Sequence, residues 1–303
     1  MTEIKFAVFT DLHYDHIPDG YDRIKNFVSK VKGKEVDFIV NLGDFCKPIY
    51  DNIKVLELLR SVDKPCYHVI GNHDSDSYPK KQALKFLGLE KSYYSFIYGQ
   101  VKFIVLDTCF IEQNGHFSSY NKKNYAHTKG NYPVLPKEQL NWLRMELNDD
   151  YSNYVILSHH SLENDFMKRG VHNRLEIQTL INKANDSGKR VALCINGHDH
   201  ADSLKSIGDT YYFGLNGMSY IWFGERCNKR PYSDELYQRY PGLKDIVLYR
   251  DGLHAIVTIS ESGKFKIEGM KTSYKTITPE DLEIEGPWNG RAISSCVTSV
   301  ELG

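Results

Sequence analysis

Five apolar, strand-like runs in this chain each stop at side chains of the types that can ligate metal ions, and that repetition constrains the fold more than any single motif does. Residues 4–9 lead into Asp11 and His13, residues 36–40 into Asp44, and residues 66–70 into Asn72, His73 and Asp74. Further on, residues 153–157 lead into His159 and His160, and residues 190–195 into His198 and His200. Helical spacing separates several of the runs, through Ile24, Phe27, Val28 and Val31, then Ile53, Leu56, Leu59 and Val62, then Ala83, Leu84 and Leu87. Alternating strands and helices define an α/β protein with parallel strands. Such proteins collect their chemistry at the carboxyl ends of the strands. Side by side in one sheet, these five ends would open into one cleft.

The remaining segments complete the expected fold. Residues 93–98 and 101–107 read as a hairpin about Gly99-Gln100, as do 202–207 and 210–215 about Gly208-Asp209. Residues 246–248, 255–259 and 265–267 read as closing antiparallel strands, and 293–300 as one more strand. Two stretches lack periodicity. Residues 110–136 are too long for a connector and read as a lid, while 216–245 form an aromatic insertion.

Charge and composition exclude several classes. With 38 basic and 39 acidic residues there is no global positive field to draw nucleic acid or an anionic membrane. No run approaches the roughly 20 apolar residues that span a bilayer. The first residues lack the basic, apolar and cleavage regions of a signal peptide, and the six cysteines form no Cys-x-x-Cys pair. A reducing, cytoplasmic setting is therefore expected.

Imidazole with carboxylate and amide oxygen, and no thiolate, suits zinc, manganese or iron in a reactive site. There are too many donors for one tetrahedral ion, but enough for two metals about 3.5–4 Å apart, an arrangement that activates water and clamps a phosphoryl group. Two divalent ions would carry four positive charges against the two negative charges of Asp11 and Asp44. The excess positive charge would bind a phosphate without a Gly-rich loop.

The ordered blocks Asp11-x-His13, Gly43-Asp44, Gly71-Asn72-His73-Asp74, His159 and Gly197-His198-Asp199-His200 resemble the calcineurin-like metallophosphoesterases. The likeness extends to about residue 270. It implies a four-layer αββα β-sandwich, with residues 1–270 as the catalytic domain and 271–303 as an extension packed on it. It implies that Asp11, His13 and His200 bind one metal, that Asp44 bridges, and that Asn72, His159 and His198 complete the second site. It further implies attack by a metal-bridging hydroxide, with His73 stabilising charge or protonating the leaving oxygen and Asp74 orienting His73 by a hydrogen bond. Two divalent or trivalent ions, manganese, iron or zinc, are the implied cofactors.

Departures from the family pattern bear on the substrate. Asp44 is followed by Phe45-Cys46-Lys47-Pro48, where the phosphoprotein phosphatases carry Asp-Arg-Gly, so a protein phosphatase is not expected. His159-His160-Ser161 stands where many small-substrate members have His-His-Pro. The Gly-His-x-His block and the hairpin after it are similar to the cyclic-nucleotide phosphodiesterase and nucleoside-diphosphate-sugar hydrolase branches. The expected substrate is a small phosphodiester or nucleotide diphosphate, with His160, Tyr220 and Trp222 as candidate contacts. A phosphomonoesterase, a nuclease and a non-catalytic scaffold are the alternatives. His16, His68, His116, His127, His172 and His254 are assigned surface or core roles.

Overall fold

The computed structural model describes residues 3–127, 131–164, 169–288 and 290–302, with the side chains of residues 126 and 127 excepted. Residues 128–130 of the expected lid therefore lie outside the described residues. Strands β1 (Glu3–Phe9), β2 (Phe38–Asn41) and β3 (Cys66–His68) run parallel, joined by helices α1 (Gly20–Lys32) and α2 (Ile53–Arg60). Helix α3 (Lys80–Leu87) precedes the hairpin of β4 (Tyr94–Tyr98) and β5 (Val101–Val105). Strands β6 (Phe110–Gln113) and β7 (His116–Ser119) form a separate two-stranded sheet, followed by the short helix α4 (Asn124–His127) and by α5 (Lys137–Glu146). The expected lid is thus partly a hairpin, whose short strands were too few in residues to show an alternation.

Strands β8 (Asn153–Ser158) and β9 (Arg190–Asn196), with α6 (Arg174–Asp186) between them, continue parallel to β5. The hairpin of β10 (Ser203–Ile207) and β11 (Thr210–Gly214) completes that sheet. The aromatic insertion holds β12 (Tyr220–Trp222) and helix α7 (Asp234–Arg239). Strand β13 (Ile246–Leu248) pairs with β12 rather than closing a large sheet as expected. Strands β14 (Ala255–Ser260) and β15 (Phe265–Gly269) return antiparallel beside β1. The last strand, β16 (Val300–Leu302), begins where the expected strand 293–300 ends. Residues before it instead use single contacts, such as the Lys271–Cys296 bridge.

Two six-stranded sheets result, in the orders β16-β15-β14-β1-β2-β3 and β10-β11-β9-β8-β5-β4. The five ligand-bearing ends are therefore split between two sheets, not ranged along one: β1, β2 and β3 supply three and β8 and β9 supply two. The two-residue period of each strand explains how the layers stack. Phe6 and Val8 of β1 meet Phe103, Val105, Val155 and Leu157 between the sheets. Ala7 and Phe9 face outward to Ile24, Phe27 and Val28 of α1. On the other side, Tyr154 and Ile156 face Leu140, Leu143, Ile177 and Ile181 of α5 and α6. This is the expected four-layer αββα sandwich. Ile277, Leu282, Ile284 and Val297 join the inter-sheet core, so the C-terminal stretch is part of it. No helix among the described residues is long and apolar enough to cross a membrane.

One strand end carries a carboxylate with a different role. Asp107, just past β5, accepts from Lys80 Nζ at 2.7 and 3.0 Å, and the same ammonium donates to the Cys109 carbonyl at 2.7 Å. Both side chains are buried. Lys80→Met leaves the Asp107 charge buried without its cation, and urea unfolding should register a loss of about 3 kcal/mol. His68 gives a second expectation. Its burial, helped by the charge of Arg60, pulls its pKa down from 6.5 to about 3. Between these values the unfolded chain binds a proton that the native state refuses, so stability falls as pH falls through that window. His68→Gln should flatten that acid slope by up to about 1.4 kcal/mol per pH unit, measured by urea titration at several pH values.

Candidate metal centre

The ends of β1, β2 and β9 turn sharply to aim their side chains inward. Asp11, His13, Asp44, His198 and His200 all take left-handed backbone conformations, with φ of 53°, 48°, 54°, 67° and 48°. Such conformations cost of order 1–3 kcal/mol each and persist where the surroundings hold them. Here the loops hold one another. Asp11 N donates to Gly43 O at 3.1 Å, His13 N to Asp44 O at 2.9 Å, and His198 N to Asp11 Oδ2 at 2.9 Å. A Cβ on Gly71 would lie 2.2 Å from Asp44 Oδ1, and one on Gly197 would lie 1.9 Å from Thr10 Oγ1. Both glycines are needed for the loops to cross so closely.

Seven residues expected from the motifs converge. Ligand atoms of Asp11, His13 and His200 lie within 4.8 Å of one another, as do those of Asp11, Asp44 and His159. His200 Nδ1 donates to the Tyr220 carbonyl at 2.8 Å, and His159 Nδ1 to the Leu42 carbonyl at 2.8 Å. Each bond fixes the proton on Nδ1 and leaves Nε2 facing the centre, the device by which metal-binding histidines are oriented. His200 Nε2 faces His13 Nε2 at 3.2 Å. His159 Nε2 meets Asn72 Oδ1 at 3.0 Å and His198 Nδ1 at 3.2 Å. Asp44 Oδ2 stands between the two groups, 3.6 Å from His13 Nε2 and 3.3 Å from His159 Nε2.

The charges call for cations at this point. Asp11 Oδ1 is buried without a hydrogen-bond partner, though the Nε2 atoms of His13 and His200 point at it from 3.5 and 3.3 Å. Burial opposes the Asp44 charge, but the neighbouring imidazoles of His159 and His73 hold its carboxyl well below the ordinary range. Conversely, burial opposes a charge on His159, yet Asp44 and Asp11 lift its pKa to about 9. Both shifts express one demand, positive charge beside two buried carboxylates. His13 and His198 are pushed down by burial and keep neutral rings with a lone pair to offer. The donor set fits two hard or borderline cations.

Asp74 does not do what the sequence implied. Its carboxylate accepts from the backbone N–H groups of Gly71 at 2.8 Å, Phe45 at 3.0 Å and Asp44 at 3.1 Å, tying the β2 and β3 loops together. The backbone turns Asp74 inward, away from the ring of its neighbour. His73 Nδ1 instead bonds Asp76 Oδ2 at 2.6 Å, and Asp76 also accepts from Tyr125, whose hydroxyl accepts from Asn72 Nδ2 at 3.0 Å. Asp76 stands three residues after His73 in a 3₁₀ turn, a spacing from which the pairing was readable. Burial works against a charged His73, but Asp44 and Asp76 raise its pKa above the ordinary value, and its side chain stays 37% exposed.

The centre floors a cleft of about 410 Å³ that His73, Tyr125, His160, Arg169, Tyr220 and Trp222 help to line. The three candidate contacts thus lie at the cleft, each with its own partners. His160 is buried and its Nδ1 bonds Thr108 Oγ1 at 2.7 Å, while its ring lies 4.2 Å from that of His198. Tyr220 stacks on His200 and His13 with centroids 4.5 and 5.2 Å away, so it backs these two histidines more than it faces the cleft. Trp222 is 39% exposed. Three residues were not expected here: Tyr125, Arg169 and His16, whose ring stacks 5.3 Å from that of His13. His16 follows Asp11-x-His13 by three residues, and a tight turn after the strand brings it back. Of the others in its group, His68 and His254 are buried and His116 is exposed, while the side chain of His127 lies outside the described residues.

Fold and site together define a hydrolase-type centre for two metal ions on an αββα sandwich. The sequence profile of the calcineurin-like phosphoesterases matches residues 4–202, and the chain belongs to that family of metal-dependent phosphoester hydrolases. It is similar to the manganese-dependent ADP-ribose/CDP-alcohol diphosphatase of Oryza sativa subsp. japonica, 24% identical over 253 residues covering 64% of this chain and 77% of the relative's length. A dimetal phosphatase from Danio rerio has the same fold, with TM-score 0.61 at 15% identity over 91% of this chain and 99% of that one. The fold is shared too with the inner-membrane-complex anchor GAP50 of Plasmodium, with TM-score 0.52 at 17% identity over 92% and 90% of the two chains.

Manganese added to chelator-treated protein should raise its melting temperature. Asp44→Ala, which removes the carboxylate between the two groups, should bind fewer than two ions per chain by elemental analysis and lose most of that shift.

Proposed function

We propose that this chain hydrolyses a phosphodiester or diphosphate bond in a small, nucleotide-like molecule with the help of two metal ions. In this reading Asp11, His13 and His200 hold one ion, Asp44 bridges, and Asn72, His159 and His198 hold the other. The observation that carries it is the place of Asp44 Oδ2, 3.6 Å from His13 Nε2 on one side and 3.3 Å from His159 Nε2 on the other. Manganese is the first choice, since the rice relative is named for it. Iron and zinc accept the same ligand types. When bound, the ions supply Lewis acidity toward phosphoryl oxygens and an attacking water of lowered pKa.

The protein's own groups do the rest. His73 lines the cleft with Nδ1 held by Asp76, which leaves Nε2 to donate a proton toward the leaving oxygen. Asp76 favours the protonated ring and fixes its direction. The Tyr125 hydroxyl links Asp76 to Asn72 and keeps the acid in register with the metal floor. Asp74 holds the loop without touching the reacting atoms. Residues 1–270 form the catalytic unit in this reading, with 271–303 as an extension that shares its core. A net charge of −1 supports a small substrate over nucleic acid, and six free cysteines support a cytoplasmic setting.

With manganese the protein should hydrolyse ADP-ribose and bis(p-nitrophenyl) phosphate faster than p-nitrophenyl phosphate, and chelation should abolish turnover. Preference for the monoester would replace this reading with a phosphomonoesterase, and an inactive, metal-free protein would remove the enzyme reading. His73→Ala should lower kcat by about 10²–10⁴-fold with its metal content intact. Asp76→Asn should cost about 10–100-fold, the usual range for a group that orients another.

A further inference from the structure

Among the described residues that line the cleft, Arg169 is the one Lys or Arg side chain. Its Nε donates to His198 Nε2 at 3.3 Å and its Nη2 to the His198 carbonyl at 3.2 Å. Its guanidinium lies 5.6 Å from the ring of Trp222. No carboxylate pairs with it among the described residues. Arg169 feels the charge of the buried Asp199 carboxyl but shares no hydrogen bond with it among the described residues, and its half-buried guanidinium lines the cleft as a planar fork suited to phosphate.

The place of this cation selects the ligand. His198 Nδ1 faces the metal-binding group, 3.2 Å from His159 Nε2, and Arg169 sits on the opposite nitrogen of the same ring. The guanidinium is thus one imidazole's width from where a phosphoryl group would be held, too far to share its oxygens fully but in reach of the next phosphate along. A neutral imidazole has one lone pair. If Nδ1 serves as a ligand the proton sits on Nε2, and Arg169 Nε–H then lacks its present acceptor while Nη2 keeps the carbonyl. A phosphate oxygen would complete it. Trp222 supports the guanidinium from the side, and Trp288 Nε1 pins the Trp222 carbonyl at 3.0 Å, so the platform is fixed to the C-terminal stretch.

We propose that Arg169, steadied on Trp222, binds the second phosphate of a diphosphate-linked substrate, and so selects nucleoside-diphosphate derivatives over molecules with a single phosphorus. This rests on the reading of the site as a two-metal phosphoester hydrolase. The test compares Arg169→Gln and Arg169→Lys with the parent protein, all loaded with manganese, on ADP-ribose and on bis(p-nitrophenyl) phosphate. Arg169→Gln should lower the ratio of the two kcat/KM values at least 10-fold, mostly through KM for ADP-ribose, and Arg169→Lys should recover part of the ratio. Equal loss on both substrates would mean that Arg169 merely supports His198, and would overturn the proposal; so would an unchanged ratio. A parent protein that cleaves the single-phosphorus diester but no diphosphate would overturn it while leaving the hydrolase reading intact.

Binding supplies an arm that does not depend on turnover. By calorimetry, Arg169→Gln should weaken α,β-methylene-ADP at least 10-fold more than it weakens AMP. Equal weakening of the two, or no binding of the diphosphonate by the parent protein, would overturn the proposal even if no substrate were turned over.

Discussion

Everything at the metal centre depends on two sheets being pressed face to face. Phe6 and Phe38 stack with centroids 5.0 Å apart, and Phe103 from the opposite sheet meets both edge-on at 5.6 and 5.1 Å. Packed sheets sit about 10 Å apart. At that spacing, loops from the end of one sheet reach those of the other, so Asp11 and Asp44 from the first sheet meet His159, His198 and His200 from the second. Neither sheet carries the whole set of proposed ligands. The apolar core is therefore a condition of the chemistry as well as of the fold.

The price of that convergence is local. Five of the seven proposed ligands sit in a left-handed backbone conformation, and two buried carboxylates share a space with four imidazoles. Asp74 offsets part of the strain by gathering three backbone N–H groups from two loops under one carboxylate. The charge problem is left for cations. A site that is costly without its ions and settled with them couples metal binding to the order of its own loops.

Much of this was legible in the residues. Continuous apolar runs ending in Asp, His and Asn marked the strands and the ends that converge, because a ligand must lie close to a rigid element to be held in place. The division between two sheets was not legible, since a strand's own sequence does not say which neighbour it pairs with. The resemblance paired Asp74 with His73, but a 3₁₀ turn brings i and i+3 together, so Asp76 is the partner. The strand ends at Asp107 and His160 show the limit of the pattern: Asp107 answers to Lys80, and His160 to Thr108. Arg169 and Tyr125 arise from irregular stretches where no period marks a functional residue.

The C-terminal stretch is tied to the loops about the cleft by Trp288, which donates to the carbonyl of Trp222, and by Arg291, which pairs with Glu163 at 2.8 Å. The floor of the cleft is made by buried strand ends, whereas this wall is made by half-exposed loops held from outside. Arg169, bonded to His198 of the floor and resting beside Trp222 of the wall, is the joint between them. Substitutions near residues 222, 288 and 291 would act on the wall from outside the cleft and reach the floor through that joint.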